Sequence, residues 1–411
     1  MGEMLLGTFN LAMEEAVFDL FFNDENVTPM RCVVIIDANK AVASAWGSTS
    51  AAVRSIRERQ KKSTENLIYN NGVKFITDDA FLGLTMQMGY PGYVDGHEGI
   101  WNNNPGSTYV DKMLPFWKAG CRIHVHSNGD AAQDATAEVL SALQSAYPRF
   151  DHRFCFEHYG MSSEHLTRRI KSLGANVSVN PYYVHHRASI NVPHMGKDRA
   201  HTAARLKQCL DCGTCCSVFL FSLSHTHTHI AGVATALHTD TPVAPPRPLE
   251  EMYIAVTRRN ESGEVCAPDE RITIEQAMRM KTVDAAYVLG LDGLLGSIEP
   301  GKFADFTILY ENPLKVKAEH LRDIKIWGTV VGGKKYRRDH KWSLKTRAPE
   351  DLSFFRGILW LFAMEAKRGH GSWFTRWIWI LLGKWFAGVK SEDDKKSTAP
   401  KKSLETCIPC E

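Results

Sequence analysis

Two histidines stand two residues apart in RIHVHSNGD, residues 122–130, where a strand-like run meets a Gly-Asp turn. On a strand, residues i and i+2 share one face. His124 and His126 therefore point the same way, with His126 nearer the C-terminal end. His158 ends a second such run, RFCFEH (153–158), and Asp240 ends a later one, VATALHTD (233–240). Zinc-like divalent ions take neutral imidazoles and carboxylates, and a catalytic ion keeps one position open for water. A lone strand histidine is more often a hydrogen-bonded core residue than a ligand. The shared position of these residues at successive strand ends favours ligation.

Those residues need a scaffold that brings strand ends together. From about residue 73 the chain alternates strand-like runs with helical patterns. VKFIT (73–77), RIHVHS (122–127), RFCFEH, NVSVNP (176–181) and VATALHTD read as strands. DAAQDATAEVLSALQSAY and SSEHLTRRIKSLG between them carry apolar residues at helical spacing, the second closed by Gly174. Alternating strands and helices imply a parallel α/β sheet, open or closed. His126, His158, Asn180 and Asp240 gather at C-terminal strand ends, where both architectures place function. No Gly-rich turn follows the first strand, as a doubly wound nucleotide-binding sheet would require. A (β/α)₈ TIM-type barrel is the favoured class.

After residue 285 the texture changes to short strands with Gly/Pro turns, in LGSIEPGKFADFTILY and IKIWGTVVGGKKYR. The expected organisation is a barrel over 1–285, a small β-sandwich portion over 286–345, an amphipathic helical extension over 346–390 and a disordered tail over 391–411. Basic residues interrupt 354–388 before any apolar run reaches the ~20 residues of a membrane span. Helices packed on the protein's own surface are favoured there over peripheral membrane contact. The net charge of +3 over 411 residues gives no argument for nucleic acid. Ten scattered cysteines and no signal-peptide pattern at the start point to reduced thiols in the cytoplasm. A homo-oligomer is left open.

HVHSNGD, RFCFEH, GANVSVNP, HTDTPVAPPRPLEEMYIAVTR and GSIEPGKFADFTIL, in that order between about residues 70 and 337, together resemble the amidohydrolase superfamily. The nearest likeness is to the amidohydrolase 3 branch, which includes enzymes similar to N-substituted formamide deformylase. The resemblance implies a metal-dependent barrel with a small β-sandwich. It implies hydrolysis of non-peptide carbon–nitrogen bonds of a small molecule, with one or two divalent ions, zinc first among them. It aligns His126 and His158 with metal ligands and Asp240 with the aspartate that touches metal and shuttles the proton. Lys74, in GVKFITDD, stands where related members can carry a carboxylated, metal-bridging lysine; an ordinary lysine is an equal reading. His124 matches no ligand, and a core histidine or a hydrogen-bonding partner behind His126 suits it better. Asn128, Asn180 and the His185–His186 pair are candidates to line a substrate pocket, though solvated loop residues are the commoner case.

Two features depart from the family pattern. No histidine precedes residue 97, so the first-strand H-x-H pair is absent. The barrel is expected to be incomplete at its N-terminal strands, and a catalytically impaired remnant that binds a ligand or partner is the alternative function. The second departure is TCCSVFLFSLSHTHTHIA, within an expected insertion at 214–232. Its cysteines and histidines, with Cys209 and Cys212, imitate a zinc cluster without a standard spacing. Low-complexity sequence is the preferred reading.

Overall fold

The computed structural model describes residues 2–6, 15, 18–19, 22–23, 30–212, 232–241 and 243–338. Most of the expected insertion (214–231), the helical extension (346–390) and the tail (391–411) lie outside the described residues.

Seven strands follow one another in space in the same order as in sequence: β1 (Gly2–Leu6), β2 (Cys32–Asp37), β3 (Leu67–Ile76), β4 (Arg122–Ser127), β5 (Cys155–His158), β6 (Asn176–Val179) and β7 (Thr235–Leu237). Every neighbouring pair is parallel, as βαβ crossovers require. This is the winding of a TIM-type barrel, and it is incomplete: β1 and β7 do not pair with each other among the described residues. Two strands precede the one carrying Lys74.

Alternation along the strands sorts two layers. Val34 and Ile36 of β2, Val73 and Phe75 of β3, Ile123 and Val125 of β4, Phe156 of β5 and Val177 and Val179 of β6 are all buried in one core. They share it with Met113 and Phe116 of helix Ser107–Lys118, Leu140 and Leu143 of helix Asp130–Ala146, and Ile170 of helix Glu164–Ser172. The opposite, concave face carries Lys74, His124, His126, Cys155, Glu157 and Ser178, almost all polar. Sequence polarity thus assigns the helices to one face and chemistry to the other.

The floor of the concave face is apolar. Helix Val283–Val288 and the turn after it place Ala286, Leu289, Leu291 and Leu295 against Val33 and Ile35 of β2. Val288 packs on Cys155 and Ala236. Asn70 donates to the Leu289 carbonyl, and Arg153 bonds the Tyr287 carbonyl at 2.9 Å and pairs with Asp292. These groups sit toward the N-terminal strand ends, so the segment closes the bottom and leaves the C-terminal mouth for chemistry.

The expected β portion contains a three-stranded antiparallel sheet, β8 (Phe306–Leu309), β9 (Ile326–Val331) and β10 (Lys334–Arg337), ordered β10–β9–β8. It belongs to the same compact unit as the barrel strands, Met1–Trp342. Buried Arg31, just before β2, joins the two: its Nε donates to Asp305 Oδ2 at 2.6 Å, and its guanidinium lies over the Phe303 ring. Asp305 also accepts from the Gly332 amide at 2.8 Å. Among the described residues, no helix is long and apolar enough to cross a membrane.

Candidate metal centre

His126 and His158 meet at the C-terminal mouth, ring centroids 4.3 Å apart and edge to face. His126 arrives by alternation, on the face of His124. His158 does not. Alternation would send it with Phe156 toward the helices, but its backbone is left-handed, with φ of 75°, a conformation uncommon outside glycine. That twist at the last residue of β5 turns the ring back to the concave side. Asp240, also left-handed with φ of 55°, brings Oδ2 within 3.8 Å of His158 Nδ1.

A residue that the sequence reading passed over completes the group. His238 precedes Asp240 by two positions, and its Nε2 lies 3.0 Å from His158 Nδ1. Its Nδ1 pairs with Ser178 Oγ at 2.8 Å. The H-x-D spacing in VATALHTD carried this information, since two residues apart on a strand end means one face.

Beneath these histidines, His124 Nδ1 pairs with Glu157 Oε1 at 2.7 Å, both essentially buried. Lys74, opposite His124 in the β3–β4 register, makes no hydrogen bond or ion pair among the described residues. Its ammonium acts on the whole cluster. Burial, then Lys74, lowers the His126 pKa to about 4. Burial, then His126 and Lys74, holds His158 well below its ordinary value. Burial also lowers His238. Burial pushes Glu157 up, but Lys74 and His124 outweigh it and hold the carboxyl below the ordinary range. The imidazoles are therefore neutral near neutral pH, the state in which a ring nitrogen can ligate a metal.

The loop after β4 hangs on Asp78, wholly buried. Its Oδ1 accepts the Asn128 amide at 2.9 Å, and its Oδ2 accepts those of Gly129 and Gln87 at 2.8 and 3.0 Å. Asn128 Nδ2 reaches His126 Nε2 at 3.1 Å, while Asn128 Oδ1 is buried without a hydrogen-bond partner. Asn180 spends both ends of its amide on structure, donating to Thr239 O at 3.2 Å and accepting from Tyr182 N at 3.0 Å. His185 sits apart from the histidine group, in the π-helical turn Tyr183–Arg187, with Nδ1 on the Arg259 carbonyl at 2.9 Å.

His126, His158 and Asp240 suit a divalent ion in donor chemistry: two neutral imidazoles face one another, and a carboxylate oxygen stands beside them. The Asp240 Oδ2–His158 Nδ1 distance of 3.8 Å does not measure ligand spacing, because Nδ1 is the nitrogen that His238 bonds and leaves Nε2 as the His158 donor. The unpaired Asn128 oxygen is a buried acceptor of the kind that a substrate donor satisfies. Among the described residues, the triples that bring donor atoms within 4.8 Å of one another are His124 with Cys155 and Glu157, and His185 with His186 and Glu261; His126, His158 and Asp240 stand farther apart than that. The first triple lies beside the Lys74 ammonium, which opposes a cation there.

The amidohydrolase family model matches residues 116–335. Protein LONG AFTER FAR-RED 3 of Arabidopsis thaliana is 30% identical over 276 residues, 65% of this chain and 43% of that one. N-substituted formamide deformylase of Arthrobacter pascens is 26% identical over 217 residues, 53% of this chain and 36% of that one. The chain thus spans less than half the length of these two relatives. A metal-dependent hydrolase of Pyrococcus horikoshii superposes with a TM-score of 0.57 at 18% identity, over 77% of this chain and 57% of that one, which is agreement in fold. The family match covers more than half of the chain and runs from before His126 to beyond Asp240: the chain belongs to the amidohydrolase family.

Proposed function

We propose that this chain is a metal-dependent hydrolase that cleaves a non-peptide, amide-type carbon–nitrogen bond of a small molecule. The observation that carries it is the convergence of His126, His158 and Asp240 at the ends of three different strands. His126 and His158 would hold the ion, zinc being the best match to imidazole and carboxylate donors. A bound divalent ion supplies Lewis acidity and lowers the pKa of water toward about 7. Asp240 has a half-exposed carboxylate at the mouth, where it can take a proton from attacking water and return it to the departing nitrogen. His238 holds the His158 ring, and Asn128 offers its unpaired oxygen to a substrate N–H. Lys74, if carboxylated, would change from a repelling cation to an anionic ligand beside the same residues. A reduced, cytoplasmic setting suits the neutral histidines and free thiols.

The test is metal content of purified protein and of His126→Ala and His158→Ala, with turnover of an amide panel by Asp240→Asn. Equal metal in parent and variants would refute the site. The second reading is a catalytically impaired protein that binds a ligand or partner through the same face. Amide turnover that vanishes in Asp240→Asn rules it out.

A further inference from the structure

A cavity of about 360 Å³ is lined by Leu82, Tyr182, Tyr183, Arg187, Ile190 and Val243, among others, and by none of His126, His158 and Asp240. That volume lies within the range of small-molecule pockets. Its walls come from the loops after β3, β6 and β7, which also frame the candidate centre, and from the turn after helix Pro248–Thr257. Val243 follows Asp240 in a turn closed by its amide on the Asp240 carbonyl at 2.7 Å. Tyr183 stacks on Phe81, centroids 4.2 Å apart and 8° from parallel, and its hydroxyl lies beside Asn128. A molecule in this cavity is one aromatic ring away from the residue that touches His126.

The polar lining is unequal. His186 Nδ1 pairs with Glu261 Oε1 at 2.7 Å, and the His186 ring stacks on Tyr182, 14° from parallel. Glu261 is thereby occupied. The Arg187 guanidinium has no hydrogen-bond, ion-pair or ring partner among the described residues. A guanidinium is a planar fork matched to a carboxylate, and a half-buried setting strengthens that bond over its value in water.

We infer that this cavity binds the part of the substrate remote from the scissile bond: an apolar, preferably aromatic, body along Leu82, Tyr183, Ile190 and Val243 that ends in a carboxylate on Arg187. The substrate class becomes amides bearing an acid group, and Arg187 becomes its specificity determinant. This rests on the hydrolase reading for the word substrate, but binding to the cavity does not.

The experiment is calorimetric titration of the full chain with phenylacetate and with its uncharged counterpart phenylethanol, on the parent, Arg187→Gln and Arg187→Lys. Thermal melts confirm that each variant is folded. Phenylacetate should bind the parent, weaken about tenfold or more in Arg187→Gln and recover in part in Arg187→Lys; phenylethanol should not distinguish the three. Equal affinity for both probes, no binding of phenylacetate, or indifference to Arg187→Gln overturns the assignment. So does phenylacetate binding that is lost in His126→Ala and kept in Arg187→Gln, which would place the anion at the histidine group. If metal and turnover are absent while the Arg187 dependence holds, the hydrolase reading fails and the cavity stands.

Discussion

Asp78→Asn tests whether the loop that presents His126 and Asn128 is organised by a protonated or an ionised buried carboxyl group. The native group accepts three backbone N–H bonds, one on Oδ1 and two on Oδ2. Asparagine keeps one carbonyl oxygen and puts an N–H donor where the other stood, so one or two buried amides lose their acceptor. Each orphaned donor costs about 1–3 kcal/mol, giving a destabilisation of about 2–4 kcal/mol. The pH dependence is the sharper part. Burial, opposed by those three amides, raises Asp78 from 3.8 to about 7. Between those values the folded protein keeps a proton that the unfolded chain has released. The contribution of this group to stability is therefore full below its unfolded pKa and is lost as pH rises through about 7. From about pH 5 to about pH 8 the loss is two pKa units, or about 3 kcal/mol. Asparagine has no such slope, so the gap between parent and variant should be wider at the lower pH. Guanidinium unfolding followed by circular dichroism at the two pH values measures it. An equal gap, or a wider one at the higher pH, refutes the reasoning: the three amides would then outweigh burial and keep the carboxylate ionised.

Three further outcomes follow from the geometry. His238→Ala removes the group that holds His158 Nδ1 at 3.0 Å and should weaken metal affinity about 10–100-fold, read by competition with a zinc indicator; unchanged affinity would show that His158 needs no such support. Gly129→Ala would set a Cβ 1.8 Å from the Gln87 carbonyl oxygen, a backbone clash that no rotamer relieves, and should lower stability by about 1–3 kcal/mol in the same unfolding assay. Arg258 is buried and bonds the carbonyls of His201, Ala203, Ala204 and Cys266 at 2.8–3.0 Å. Arg258→Met removes the donor from all four, of which Ala204 O keeps the Leu206 amide at 3.0 Å, and should destabilise by about 3–5 kcal/mol; a melting temperature equal to the parent's would contradict that role.

The barrel strands from β3 to β7 were legible because polarity alternates at period two between turns, and a parallel α/β sheet is what such strands with intervening helices must form. β2 was harder to see. CVVIID is an apolar run buried on both faces, one against helices and the other against the floor helix, so it has no alternation to betray it. Asp78 was invisible for another reason: in TDDAF nothing adjacent says which of two carboxylates turns inward, since the amides of Gln87, later in the same loop, and of Asn128 and Gly129, in the loop after β4, decide it. Place after a strand makes Asn180 and His185 candidates for a pocket lining or, more commonly, solvated loop residues. Place along the chain does not reveal that the Asn180 amide is consumed by Thr239 and Tyr182, or that His185 turns to the Arg259 carbonyl.

His158 shows where strand logic itself stops. In RFCFEH, period two puts Cys155 and Glu157 on the concave face and sends Phe154, Phe156 and His158 to the helices. The two phenylalanines obey. The structure places His158 opposite His126 only because the backbone enters the left-handed region at that residue and the next, Tyr159 having φ of 48°. Such a conformation at two successive non-glycine residues is unfavourable by about 1–3 kcal/mol each, and it persists because Tyr159, fully buried beside Thr167, anchors the turn from beyond. The strain has a clear product. It converts Glu157 and His158, neighbours in sequence, into residues that face the same cavity at different depths. Glu157 braces His124 below, and His158 meets His126 and His238 at the mouth. A strand in regular conformation supplies one concave residue in two; this turn supplies two in succession, which is how a four-residue strand can contribute both a deep anion and an imidazole at the mouth.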